Sequence, residues 1–387
     1  MEKLPLLRPL PDERQVPVLA GVTGLFWLAQ AVGCYLTVYL QGEGFSAGQL
    51  GVLNALCAGV AILSVSFWGT LCDRLGSLRR VFVAVLVTGC ALYALVPLLP
   101  MGKGWSAGLV IGYMGFVTLF RGAQGTLAEN ILVRNCNELR LSFGPLRSMG
   151  SLFYAAASLT VAFLLPHIGV KNTFWLSGAC MLPVVALVLL AREPAAGAGP
   201  ARPREKLDLG RLFRSRPYVL LLIFASLFYM ANACGANFIP FFMNGIGVSS
   251  RRYGLLLGYR ALLEIPFLLL MSRLRRRFPL RMLVAVGALL MGLESICLGL
   301  FVESMTGLLL AATFYGLGNG LFIGSSLNYV YELAPDDLKA SAQAFYTSVA
   351  QVACILGNLL GGLLFDGLGA HPYYRLVGGM YLCSVLV

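Results

Sequence analysis

Apolar residues group into twelve long stretches along the chain, separated by short polar or charged segments. The stretch VFVAVLVTGCALYALVPLL at 81–99 is typical, with no alternation of apolar and polar positions. A membrane-spanning helix needs about 20 apolar residues, whereas the strands of a membrane barrel alternate, so we predict helices throughout. The predicted spans are 16–40, 46–71, 81–100, 105–133, 143–166, 172–191, 217–243, 250–273, 281–302, 306–331, 339–365 and 372–387.

The composition is typical of a protein that crosses the bilayer many times. Of the 387 residues, 58% are hydrophobic and only 12% are charged, whereas a soluble domain carries roughly 25% charged residues. The ten cysteines are scattered singly, without a CxxC pair, and only two histidines are present. We therefore expect no disulfide framework, no metal site and no cofactor.

The two parts of the chain repeat one another. The segment GFSAGQLGVL at 44–53 matches GVSSRRYGLL at 247–256 with a shift of 203 residues, and RVFVAV at 80–85 matches RMLVAV at 281–286 with a shift of 201. This duplication predicts two pseudo-symmetric halves of six helices each. Secondary transporters use parallel repeats of this kind around a central cavity, with the solute held near the bilayer midplane.

The basic residues indicate the orientation of the spans. We predict a cytosolic linker at 192–216, between a first half at 1–191 and a second half at 217–387. With the amino terminus inside, the predicted cytosolic segments carry 21 Lys and Arg and the opposite side carries five, in agreement with the positive-inside rule. We expect an integral, multi-pass protein of the plasma (inner) membrane with both termini in the cytosol. The net charge of +12 then mostly reflects the basic residues of the cytosolic segments and does not indicate nucleic-acid binding.

The loop between the second and third spans reads GTLCDRLGSLRR at 69–80. It resembles the G-x-L-x-D-R-x-G-x-x-R-R loop of the major facilitator superfamily. This resemblance implies a gating role for five residues: Gly69, Asp73, Arg74, Gly76 and Arg80. Small residues let neighbouring helices approach closely, here the second and eleventh. The Asp73 carboxylate could bond backbone amides or pair with a basic residue between the halves, which would hold one face shut.

Arg147 lies just inside a long apolar segment, where a charge is costly. An unpaired arginine at the centre of a spanning helix costs about 2.5–3.5 kcal/mol on insertion scales, so such residues face a cavity and find partners. Glu129 lies 18 residues earlier on the preceding span and is the nearest acidic candidate. A salt bridge with a purely structural role is the alternative.

The block 129–154 resembles the region between the fourth and fifth helices of lactose permease and its oligosaccharide:proton symporter relatives. The resemblance implies that Glu129 and Arg147 bind solute hydroxyls and that Tyr154, at the position of an aromatic residue of the permease, stacks on a sugar ring. We therefore name Glu129, Arg147 and Tyr154 as substrate-binding candidates.

In the second half this resemblance weakens. The histidine and glutamate of the permease's proton relay would fall at Tyr315 and Gly318, and an arginine of its ninth helix at Glu294. The relay cannot be carried over, and we do not expect lactose itself as the solute. The wider group of that fold, which includes nucleoside and aromatic-acid symporters, fits better. Asn232 and Gln351 are polar residues that could complete a substrate site.

A second motif favours a different class of transporter. The segment RGAQGTLA at 121–128 resembles the R-x-x-Q-G block on the fourth helix of many proton-driven drug exporters, in which the arginine is thought to influence proton movement. The fifth span lacks the exporters' G-P-x-x-G-G spacing. Arg121 is therefore interpreted as a charge in the cavity, and export stays the alternative.

Six charged residues lie well inside the predicted spans: Arg121, Glu129, Arg147, Arg260, Glu264 and Glu294. Three acids and three bases allow every charge to find an opposite partner. Arg260 and Glu264 are four residues apart on one helix, so they can pair directly. Proton coupling needs a carboxylate in a dry cavity with a movable basic partner. The candidates are Glu264 and Glu129, with Arg121 and Glu294 as further ones.

We therefore predict a secondary active transporter for proton-coupled symport of a small polar solute of the sugar, oligosaccharide or nucleoside class. The alternative is a proton-driven exporter. No catalytic triad, zinc spacing or phosphate-binding G-x-x-x-x-G-K-[ST] run is present in the sequence, so we expect neither an enzyme nor an ATP-driven pump. The expected partners are the solute, protons and the lipid bilayer, with no nucleic acid, and the protein is expected to act as a monomer.

Overall fold

The computed structural model describes residues 14–101, 105–141, 143–193, 210–335 and 338–387, except for the side chain of residue 340. The predicted linker lies mostly outside these residues. The described part is helical, with these elements: α1 Gln15–Val32, α2 Leu36–Gly42, α3 Ala47–Leu75, α4 Leu78–Ala94, α5 Ser106–Glu138, α6 Phe143–Ile168, α7 Asn172–Leu190, α8 Gly210–Arg214, α9 Arg216–Asn237, α10 Ile239–Gly245, α11 Tyr253–Arg277, α12 Leu280–Leu300, α13 Met305–Leu333, α14 Lys339–Leu368 and α15 Ala370–Val385.

The predicted helical membrane fold is confirmed. Eleven segments of the described chain are long and apolar enough to cross a membrane, and α15 corresponds to the shorter twelfth span. Two predicted spans are each made of two helices. The first breaks at Gly33 between α1 and α2, and the seventh breaks at Phe238 between α9 and α10. Pro240 lies in the first turn of α10, where a residue without an N–H group is tolerated.

Residues 14–39 and 60–193 form one compact unit. Within it, α1 packs against α6 and α7, and α4 packs against α5 and α7. The core between these helices is apolar and contains the fully enclosed rings of Phe26 and Phe82. The helices of this unit position Arg121, Glu129 and Arg147 around α1.

Residues 40–59 form a second unit together with the described residues from 210 onwards. Here α12 packs against α13 and α15, α11 against α13, and α9 against α14. Stacked rings of Phe228 and Phe322, with centroids 3.9 Å apart, mark its core. The division of the chain into halves at 191 and 217 stays a prediction, because the first residues of α3 are grouped here with the second unit.

Large apolar side chains cover the outside of both units. Leu63 is 65% exposed and Phe163 is 69% exposed in the first unit, and Leu310 is 67% exposed in the second. Apolar surface of this extent marks contact with another apolar phase. Because eleven helices among the described residues have bilayer length, that phase is the hydrocarbon of the membrane.

Candidate functional site

The centre of the site in the first unit is an ion pair between α5 and α6. Arg147 Nε donates to Glu129 Oε1 at 3.2 Å, and the side chains are 31% and 47% exposed. The predicted pairing is therefore present. Both charges keep part of their surface open, so each has room for a further hydrogen bond while it is held by the other.

An aromatic wall that the sequence analysis missed stands beside this pair. The guanidinium carbon of Arg147 lies 4.8 Å from the centre of the Trp27 ring, and the Tyr154 ring meets Trp27 edge-on at 6.4 Å. A Cβ at Gly150 would lie 2.5 Å from Trp27 Cδ1, so only glycine lets the indole lie this close to α6. The predicted residues Glu129, Arg147 and Tyr154 are thus brought together, with Trp27 between them.

Arg121 lies on the same helix as Glu129, two turns towards its amino-terminal end. Its Nη2 donates to Gln30 Oε1 at 2.9 Å, and its guanidinium carbon lies 3.6 Å from the centre of the Tyr93 ring. The Tyr93 hydroxyl donates to the Gly33 carbonyl at 2.7 Å, which fixes the ring in place. Tyr93 was also missed by the sequence analysis, because it comes from a different helix with no charge to mark it.

Gln124, the other polar residue of the exporter-like block, has a packing role. Its side chain is fully buried, and Nε2 donates to the Val85 carbonyl of α4 at 3.1 Å. A Cβ at Gly89 would lie 2.6 Å from that nitrogen. Gln124 therefore joins α4 to α5 and does not face the site.

In the second unit, Arg260 binds a different acid from the one predicted. The spacing of Arg260 and Glu264 on one helix predicts that these two can pair, whereas in the structure Arg260 Nη2 binds Glu294 Oε1 of α12. Both side chains are almost completely enclosed, at 5% and 4% exposed. The Tyr315 ring covers the guanidinium at 4.1 Å. Charge pairing in this bundle is decided by the neighbouring helix.

Asn232 of α9 is linked through Tyr315 to the Arg260–Glu294 pair. Its Oδ1 accepts hydrogen bonds from the Tyr315 hydroxyl at 3.2 Å and from the Tyr381 hydroxyl at 3.1 Å. Because Tyr315 also covers Arg260, the predicted substrate residue Asn232 and the predicted coupling residue Glu294 belong to one polar cluster. Gln351 is half-buried on α14.

Glu264 lies one turn along α11 from Arg260. Its Oε1 accepts a hydrogen bond from Asn319 Nδ2 of α13 at 2.7 Å. The two helices touch closely here, since a Cβ at Gly320 would lie 2.8 Å from the Glu264 carbonyl oxygen. The Glu264 carboxylate is therefore held at the contact between α11 and α13.

Most of the predicted gating loop 69–80 is helical, because α3 continues to Leu75 and α4 begins at Leu78, so only Gly76 and Ser77 form the turn. Gly76 has a φ of +60°, a left-handed conformation that favours glycine. Asp73, Arg74 and Arg80 are exposed. The carboxylate bonded to this turn is that of Glu193, which lies 3.3 Å from Arg79 Nε. It also accepts from the Arg79 backbone N–H at 3.0 Å.

Glycine does bring the second and eleventh predicted spans together, but not at Gly69. Around Gly69 a Cβ would meet no atom of the described chain within 4 Å, whereas a Cβ at Gly51, near the start of α3, would lie 2.5 Å from the Asn358 carbonyl of α14. Beside this contact, Asp366 accepts from the backbone N–H groups of Ala47 at 3.1 Å and Gly48 at 2.7 Å. The close contact therefore lies at the opposite end of α3 from the predicted one.

Comparisons with known proteins agree with this architecture. Residues 25–376 match the family model described as MFS_1 like family. The maltose permease of Geobacillus stearothermophilus is 27% identical over 364 residues, which cover 92% of this chain and 88% of the permease. The putative nucleoside transporter YegT of Escherichia coli (strain K12) is 23% identical over 359 residues, which cover 87% of this chain and 81% of YegT.

Solved structures show the same fold. The nucleoside transporter NupG superimposes with a TM-score of 0.76 at 15% identity, covering 97% of this chain and 98% of NupG. The xylose transporter XylE from E. coli superimposes with a TM-score of 0.70 at 15% identity, covering 97% of this chain and 95% of XylE. The chain belongs to the MFS_1 like family, and it is a multi-pass membrane transporter of the major facilitator type and not an enzyme.

Proposed function

We propose that this protein is a secondary active transporter that carries a small polar solute of the sugar, oligosaccharide or nucleoside class together with protons. The observation that carries this proposal is the half-open Glu129–Arg147 pair with the rings of Trp27 and Tyr154 beside it. A carboxylate accepts hydrogen bonds from solute hydroxyls, and a guanidinium donates to them. The aromatic rings offer a flat apolar surface on which a sugar or base can lie.

The relatives support the solute class. Two of them are named as a maltose permease and a putative nucleoside transporter. Sugars and nucleosides share a hydroxylated ring, which is the feature that an acid–arginine pair can bind. Gln351 and Asn232 are proposed as further polar contacts for the solute.

For proton coupling we propose Glu264 as the first candidate. Its carboxylate lies at the contact of two helices, bonded to a neutral amide and four residues from Arg260. Glu129 and Glu294 each hold an arginine, and either could take a proton when that arginine moves. Neutralising a carboxylate inside the membrane lowers the cost of moving it past apolar surface.

The two ends of α3 are proposed to take part in alternating access. At one end, Asp366 and the Gly51 contact join α3 to α14. At the other end, Asp73 in the last turn of α3 and Gly76 in the turn that follows are exposed. From the positive-inside distribution we propose that this end of α3 lies in the cytosol of an inner-membrane protein with cytosolic termini, and that the protein acts as a monomer.

The test is transport in liposomes that contain the purified full chain. Labelled maltose, xylose and uridine are offered with an inside-alkaline pH gradient, and Glu129→Gln serves as the inactive comparison. We expect gradient-driven accumulation of at least one solute, abolished by a protonophore. Outward movement of solute against its gradient, driven by inward proton flow, would favour the exporter suggested by Arg121. Uptake at the same rate with and without the pH gradient would contradict proton coupling.

A further inference from the structure

The charges inside the spans do not all pair with one another within their units. Glu129 binds Arg147, and Arg260 binds Glu294. Arg121 is bonded to Gln30 and covered by Tyr93, and both of these side chains are neutral. Within the described residues no carboxylate forms an ion pair with Arg121. The first unit therefore holds one more positive than negative charge inside its spans.

The contacts of Arg121 leave part of its guanidinium available to bind another group. Its side chain is half-buried, the Tyr93 ring supports one face of the guanidinium, and Gln30 Oε1 holds Nη2. A guanidinium has five N–H donors in a fixed fork. Because Gln30 and Tyr93 engage only part of that fork, the remaining donors can bind the two oxygens of a carboxylate together.

The position of Arg121 relative to the Glu129–Arg147 pair matches a solute with two different ends. Arg121 and Glu129 are eight residues apart on α5, which is about 12 Å of helix rise. Gln30, which binds Arg121, and Trp27, which lies against Arg147, are one turn apart on α1 and therefore on one face of that helix. Each of the two guanidiniums lies against an aromatic ring, Arg121 against Tyr93 and Arg147 against Trp27.

We propose that Arg121 is the carboxylate-binding part of the substrate site, and that the preferred solute is a sugar acid, not a neutral sugar. This inference rests on the proposed function: the hydroxyl groups bind at Glu129 and Arg147, and the acid group binds at Arg121. A single unpaired cation favours a monoanion. A phosphate ester carries a second charge that this site would leave unpaired.

The experiment uses three pairs of a neutral sugar and its acid. Glucose and glucuronate differ only at C6, whereas in maltose with maltobionate and in lactose with lactobionate the oxidation at C1 also opens one ring. Binding to the full chain in lipid nanodiscs is measured for each pair. We expect at least one acid to bind tenfold or more tightly than its neutral partner. Arg121→Gln should reduce that preference to less than threefold, and Arg121→Lys should keep part of it. Arg134→Gln, a change of the same kind further along α5, is the control and should leave the preference intact.

The outcomes separate this inference from the proposed function. Neutral sugars bound as tightly as their acids, or a preference that survives Arg121→Gln, would overturn the carboxylate site while leaving sugar transport standing. Binding of acetate or benzoate that depends on Arg121, without binding of any sugar, would support the carboxylate site and contradict the sugar class. If no acid binds, the proposal fails.

Discussion

Arg260 of α11 binds Glu294 of α12, and the two side chains are only 5% and 4% exposed. Breaking such a buried pair by removing one partner costs about 3–5 kcal/mol, because the other charge is left without compensation. We expect Glu294→Gln to lower the thermal unfolding midpoint of the detergent-solubilised protein strongly. The double change Arg260→Gln with Glu294→Gln should be less destabilising than the sum of the two single changes. Strictly additive losses would show that the pair is not coupled.

The Glu129–Arg147 pair is predicted to bind solute and not merely to hold α5 to α6. Glu129→Gln or Arg147→Lys should abolish binding while the unfolding midpoint changes little, since exposed pairs contribute about 1 kcal/mol or less. Lysine cannot reproduce the planar fork of arginine. The control is Glu138→Gln at the end of α5. It removes a carboxylate that lies 3.7 Å from Arg192 Nε. Normal solute binding by both site variants would rule out the assignment.

Gly150 is predicted to set the position of Trp27. An added Cβ would lie 2.5 Å from Trp27 Cδ1 and 3.1 Å from Arg147 Nη1, so Gly150→Ala should push the indole away from the pair. We expect at least tenfold weaker solute binding and a shift of tryptophan fluorescence. Gly144→Ala lies on the same helix, where a Cβ meets nothing within 4 Å, and should leave both unchanged. Equal effects of the two substitutions would argue against a specific role for Trp27.

Asp366 is predicted to keep the start of α3 closed against α14. Its oxygens accept from the Ala47 and Gly48 N–H groups, and loss of a helix cap costs about 0.5–2 kcal/mol. In a background without native cysteines, Ala47→Cys is almost fully buried, since Ala47 is 1% exposed. Adding Asp366→Asn should raise its rate of maleimide labelling several-fold. Unchanged labelling would show that the cap does not control opening there.

Glu264→Gln is predicted to separate exchange from accumulation. Glutamine resembles the protonated acid and still offers an oxygen to Asn319 Nδ2, so the site should stay intact. We expect the variant to exchange labelled for unlabelled solute but to lose accumulation driven by a pH gradient. Glu303→Gln, an exposed acid outside the helices, serves as the control. A variant that still concentrates solute would move the coupling role to Glu129 or Glu294.

Local features of the chain were enough to predict the fold and one part of the site. Apolar stretches of bilayer length become helices because no other structure except a closed barrel satisfies the backbone in lipid. The part of the chain that the structure describes contains eleven such helices. The Glu129–Arg147 pair was also predictable, since consecutive spans joined by a short loop lie side by side. Its role in binding stays a prediction.

What the sequence determined by itself is therefore the approximate extent of the membrane-spanning stretches, the duplication and the set of charges inside the spans. Only the tertiary structure decided that Arg260 binds Glu294, that Tyr93 and Trp27 lie against Arg121 and Arg147, and that α3 meets α14 at Gly51. The physical reason is that a spanning helix is apolar on nearly all sides. Its sequence does not show which side faces which neighbour, and close packing between helices distant in the chain decides the partner.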